Sequence, residues 1–167
     1  MAKHFALALL VLGTLAGSAE AAGLLNRPVA VQDTAFCTAN RCEAAGRRPN
    51  AGSVWEFLYT TAPDQQALGP QLQLYGAQGR VVGAALNFAG PVTPFTAQDY
   101  AQAGTPTELT AEFAALLLGQ TPTWQLLKKW QASCDTGKRL NFAGARLTCS
   151  RWQPGPGAEA LSFHIGQ

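Results

Sequence analysis

The sequence predicts an α+β domain: a mostly antiparallel sheet with helices packed on one face, stapled by two disulfides. Three observations carry that reading. Several segments alternate apolar and polar residues and are divided by hairpin turns, the middle of the chain carries helix caps and stops, and four cysteines follow an export signal. Strands come first, then helices, then strands again. That order suits an antiparallel sheet and disfavours a parallel βαβ series.

The export signal is the first 21 residues. Met1-Ala2-Lys3-His4 is a short basic start, residues 5–15 are almost unbroken Ala, Leu and Val, and Ala19-Glu20-Ala21 has the small-x-small pattern of a cleavage site. The apolar run is too short for a permanent membrane helix, which needs about 20 residues. The chain therefore reads as a signal peptide (1–21) followed by a single exported domain (22–167), working in the periplasm, at the cell surface or outside. No Cys follows the apolar run closely, so a lipid anchor is not indicated. The densest later apolar run, 114–118, belongs to a short helix.

All four cysteines, Cys37, Cys42, Cys134 and Cys149, lie beyond the signal. An even number in an oxidising compartment argues for disulfides, and closeness in sequence favours Cys37 with Cys42 and Cys134 with Cys149. The competing reading is one zinc held by four thiolates. That site ordinarily uses two short Cys-x-x-Cys knuckles, and neither gap here has that length.

The elements follow in order. Residues 23–28 read as a loose lead-in, 29–31 as a short strand, and 34–52 as a turn-rich surface loop pinned by the first disulfide. In the strand at 53–61, Trp55, Phe57 and Tyr59 alternate with Val54, Glu56 and Leu58. Those aromatics suit either the buried face of a strand or a stacking platform for sugars or bases. Residues 71–75 and 80–88 alternate on either side of Gly76-Ala77-Gln78-Gly79, a hairpin with Gly available for positive φ. Thr96-x-x-Asp99 resembles a capping box opening a short helix. Thr107 is the expected cap of a second helix ending at Gly119, and Thr121-Pro122 the expected cap and first residue of a third running to about 133. On that third helix Trp124, Leu127 and Trp130 share a face. A second hairpin spans 138–152, bent at Ala143-Gly144, and 160–165 is the last strand with Leu161, Phe163 and Ile165 on one side. The pentapeptide Leu86-Asn87-Phe88-Ala89-Gly90 recurs as Leu140-Asn141-Phe142-Ala143-Gly144 and reads as two similar strand ends.

Catalytic motifs are missing from this inventory. There is no Gly-x-Ser-x-Gly, no His-Glu-x-x-His, no phosphate-binding glycine loop. Beyond the signal the one histidine is His164, on the phase of its strand opposite Leu161, Phe163 and Ile165. Glu108 and Glu112 are four apart on one helix, but the helix dipole explains the first and nothing singles out the pair. No cofactor and no metal site are expected.

Charge is unevenly spread. From Thr121 onward there are six basic residues (Lys128, Lys129, Lys138, Arg139, Arg146, Arg151) against two acidic ones (Asp135, Glu159). Lys138, Arg139, Arg146 and Arg151 fall on or beside the second hairpin, with Trp152 adjacent, which makes those five the candidate partner-binding residues. The plain alternative is a solvated edge, since basic side chains guard exposed strands. A net charge of +2 is too small for a strong nucleic-acid binder. The functional expectation is an exported bacterial envelope or extracellular binding or accessory protein, contacting an envelope protein or an anionic envelope polymer. The alternatives are a small secreted hydrolase using His164, and a ligand carrier or inhibitor with a pocket lined by Trp124 and Trp130.

Overall fold

Alternation builds the sheet, as the computed structural model shows for residues 23–28, 34–50, 54–60 and 70–167. The signal peptide expected at 1–21, the strand expected at 29–31 and residues 61–69 lie outside the described residues. The elements run α1 (Ala35–Ala39), β1 (Glu43–Asn50), β2 (Val54–Thr60), β3 (Gln71–Ala77), β4 (Arg80–Ala89), α2 (Ala97–Tyr100), α3 (Pro106–Leu118), α4 (Trp124–Thr136), β5 (Leu140–Phe142), β6 (Ala145–Trp152) and β7 (Ala160–Gly166). The strands form one sheet in the order β1-β2-β3-β4-β7-β6-β5. Every neighbouring pair is antiparallel. The last strand thus returns to the middle, between the opening meander and the β5–β6 hairpin.

Two turns need positive φ. Gln78 (φ 52°) and Gly79 (φ 74°) join β3 to β4, and Ala143 (φ 48°) and Gly144 (φ 77°) join β5 to β6. Two successive left-handed residues match the twist of the flanking strands, which is why such pairs close tight hairpins. They also separate the two copies of the pentapeptide. Ala89 ends strand β4 whereas Ala143 lies in a left-handed turn.

The buried phases of β3, β4, β6 and β7 form one core with the helices. Leu72, Leu74, Leu86, Leu147, Leu161, Phe163 and Ile165 have no more than 2% of their surface exposed, as do Phe113, Leu117, Leu127 and Trp130 from α3 and α4. Phe163 is the centre of this layer: its ring stacks on Phe95 at 5.5 Å and meets Trp130 (5.3 Å) and Phe88 (6.0 Å) edge to face. The indole N–H of Trp130 donates to the Thr148 carbonyl at 2.8 Å, so the largest buried ring leaves no polar atom unpaired.

The cysteines pair as Cys37–Cys42 and Cys134–Cys149. No free thiol remains, which excludes the four-thiolate zinc site.

Several sequence expectations need correction. The loop expected at 34–52 is α1 followed by strand β1, which pairs with β2 through a bulge between Ala44 and Gly46. Its residues lack alternation and include Pro49, yet an edge strand tolerates a proline and borrows its order from the pairing. The lead-in at 23–28 is tied down: Leu24 and Leu25 N–H donate to the Leu116 and Leu117 carbonyls, and Asn26 N–H to that of Val81. A Cβ on Gly23 would sit 2.3 Å from the Leu117 oxygen, so the approach needs glycine. Helix α3 is capped by Thr105 rather than Thr107, which is buried inside the helix. Helix α4 is capped by Thr123 rather than Thr121, and continues to Thr136 before Gly137 stops it. The register sets Trp55, Phe57 and Tyr59 opposite Gly76, Leu74 and Leu72, while the choice between buried face and stacking platform for those three side chains lies outside the described residues.

Candidate functional site

Helices cover one face of the sheet, and among the described residues no helix packs on the other. The strands' second phase supplies that helix-free face, and the register arranges it in rows. Arg146, Gly166, Gly83 and Tyr75 form one row across β6, β7, β4 and β3; Thr148, His164, Ala85 and Gln73 form the next; Ser150, Ser162, Asn87 and Gln71 the third; and Trp152, Ala160 and Ala89 a fourth. Strands about 4.8 Å apart and rows about 6.7 Å apart set the polar side chains of this face within reach of one another, around Ala85, Ala160 and Ser162, which are at most 5% exposed.

Hydrogen bonds knit its centre. Asn87 Nδ2 donates to Gln73 Oε1 at 3.3 Å, and the Ser162 hydroxyl, 5% exposed, donates to Asn87 Oδ1. His164 Nε2 lies 3.4 Å from Ser150 Oγ. Burial lowers the His164 pKa below the ordinary 6.5, so the imidazole is neutral at pH 7. A serine beside a neutral imidazole is the first half of a nucleophile and base pair. No carboxylate among the described residues bonds to His164 to orient it, and Asp135 and Glu159 bind Arg151 on the opposite phase of β6.

The five candidate partner-binding residues divide. Arg146 and Trp152 are exposed and share the helix-free face of β6, six residues or about 20 Å apart. Trp152, 47% exposed, is the exposed large hydrophobic side chain among the described residues. Arg151 lies on the opposite phase, where its Nε bonds Asp135 at 2.9 Å and its Nη1 meets Glu159 at 3.3 Å. The Asp135 bond pushes its pKa further up and ties the sheet edge to α4. Lys138 and Arg139 are exposed in the segment between α4 and β5. Sequence reasoning missed Gln73, Asn87, Ser150 and Ser162. Their signal was the polar phase of strands read only for their apolar phase.

Trp130 lies buried against Phe113 and Phe163, so the space beside it is filled by rings. Trp124 is half-buried with Lys128 Nζ 6.0 Å from its ring centre. A pocket of ≈ 440 Å³ lies elsewhere, between α1 and α3.

Comparison with protein-family models, with curated proteins and with solved structures finds no match to this chain. No helix among the described residues is long and apolar enough to cross a membrane. The two disulfides are compatible with an exported protein.

Proposed function

We propose that this chain is an exported envelope or extracellular binding protein that meets an anionic envelope component through the helix-free face of its sheet. One observation carries this reading: Arg146 and Trp152 are exposed on the helix-free phase of β6, on either side of the rows that hold Thr148, His164, Ser150 and Ser162, and among the described residues no helix packs there. A guanidinium with free donors pairs with carboxylate or phosphate, and an exposed indole adds contact area at low entropic cost. Arg139 and Lys138, just beyond the sheet end, extend the positive field. Arg151 serves the fold instead, through Asp135 and Glu159.

The test is charge reversal. Arg146→Glu combined with Trp152→Ala should abolish capture of an envelope component by the cross-linked protein while leaving the unfolding midpoint within experimental scatter. Undiminished capture would remove this face as the contact.

The Ser150–His164 approach favours one alternative, a small secreted hydrolase. That reading requires Ser150→Ala and His164→Ala each to destroy an esterase or amidase activity without unfolding the protein, and an active Ser150→Ala variant would exclude it.

A further inference from the structure

We propose that the pocket between α1 and α3 is a binding site for a small amphiphilic amine, an apolar molecule bearing one ammonium group. The site is separate from the helix-free face. Its volume, ≈ 440 Å³, falls in the range of about 300–1,000 Å³ typical of small-molecule sites. The walls are mostly hydrocarbon, with Leu24 from the lead-in, Phe36 and Ala39 from α1, and Ala115 and Leu116 from α3, and Thr34 adds a hydroxyl at the start of α1. One carboxyl side chain lines it, that of Glu112.

The carboxylate is held but not neutralised. Asn40 Nδ2 donates to Glu112 Oε2 at 3.0 Å and to the Phe36 carbonyl at 3.0 Å, so both of its amide hydrogens are committed. Glu112 is half-buried, takes no other hydrogen bond and makes no ion pair among the described residues. A carboxylate partly withdrawn from water beside apolar walls gains most from a cation that brings its own hydrocarbon. An anion would be repelled, and a neutral alcohol would donate a weaker hydrogen bond.

Local bonds order the pocket walls, and the Asn40–Glu112 hydrogen bond ties α1 to α3. Five residues of helix do not persist alone, and α1 is held by the Cys37–Cys42 disulfide and by Thr34, whose Oγ1 accepts from Cys37 N–H at 3.3 Å. The lead-in that supplies Leu24 is bonded to the Leu116 carbonyl at 2.9 Å. Preorganised walls lower the ordering cost of binding.

The probe is n-octylammonium, titrated calorimetrically at pH 7 into the oxidised protein below the probe's micelle concentration, with 1-octanol and octanoate as uncharged and anionic partners of equal length. Octylammonium should bind about tenfold more tightly than octanol, the gain of a charge-assisted over a neutral hydrogen bond, and octanoate should not bind. Glu112→Gln keeps an oxygen for Asn40 and should bring octylammonium down to the octanol level. Ala115→Phe fills the pocket without touching the carboxylate and should remove binding of both. The proposal fails if octylammonium does not bind, if octanoate binds as well, or if either variant binds octylammonium like the parent. It also fails if the tripeptide Leu-Leu-Gly with a free amino group binds more tightly than octylammonium, which would make the pocket a receptor for a chain terminus.

Discussion

At Phe163 three aromatic rings from outside its own strand converge, and single substitutions there have large, readable costs. Trp130→Ala should lower unfolding free energy by about 3–5 kcal/mol in urea titrations, the cost of emptying a fully buried aromatic site. Trp130→Phe should lose less, because a ring still packs on Phe113 and Phe163 and only the donor to the Thr148 carbonyl disappears. His164 adds a pH dependence. Burial holds its folded pKa below 6.5, so the unfolded chain binds the proton first and stability falls with pH between 6.5 and the lowered value. Above that window this term is constant; below it both states are protonated and no more is lost. Chemical unfolding at pH 7 and pH 5 should show this loss in the parent, and His164→Gln should flatten it. The apolar phase of these strands was legible from alternation alone. The polar cluster was not, since Ser162 and Asn87 are 75 residues apart, and only the return of β7 to the middle of the sheet brings them together.

At the scale of single elements, one tripeptide shows how far local rules reach. Thr-Pro-Thr occurs at 105–107 and again at 121–123. In the first copy the leading Thr caps: Thr105 Oγ1 accepts from Glu108 N–H at 3.2 Å, Pro106 opens the helix, and Glu108 Oε2 accepts from Gly104 N–H at 2.6 Å. In the second the trailing Thr caps, with Thr123 Oγ1 accepting from Leu126 N–H at 3.3 Å. Pro122 there is buried outside the helix, and its carbonyl accepts from the Tyr100 hydroxyl at 3.1 Å. The acid three residues after Thr105 made the first start legible in principle. The second depends on Tyr100, 22 residues away, which no local rule contains. Thr123→Ala should therefore cost about 1 kcal/mol, while exposed Thr121→Ala should stay within about 0.5 kcal/mol; denaturant midpoints separate the two. The disulfides differ in the same way. Cys134–Cys149 joins α4 to β6 across a separation of 15 residues, against 5 for Cys37–Cys42. Replacing the first pair by alanine should cost about 3 kcal/mol of global stability, and the second about 2 kcal/mol by the same loop-entropy argument.

For the whole molecule, segment order alone predicts the class, and cysteine spacing favours the pairing that the disulfides adopt. Strand order was not legible. Nothing local to residues 160–166 says that the final strand slots between β4 and β6 rather than joining an edge. That placement decides the functional reading, because it sets His164 and Ser162 in the middle of the helix-free face and carries Arg146 and Trp152 to the β6 side. It also explains why a basic hairpin in sequence is not one basic surface in space: Arg151 alternates away from Arg146 and is absorbed by Asp135 and Glu159. The most direct measurement is site-specific photo-crosslinking in the producing cells, with the photoreactive residue placed at Ser150 on the helix-free face or at Gln125 on the exposed side of α4. One discrete envelope adduct is expected from Ser150 and none from Gln125. Adducts of equal yield from both positions, or from Gln125 alone, would contradict contact through the helix-free face.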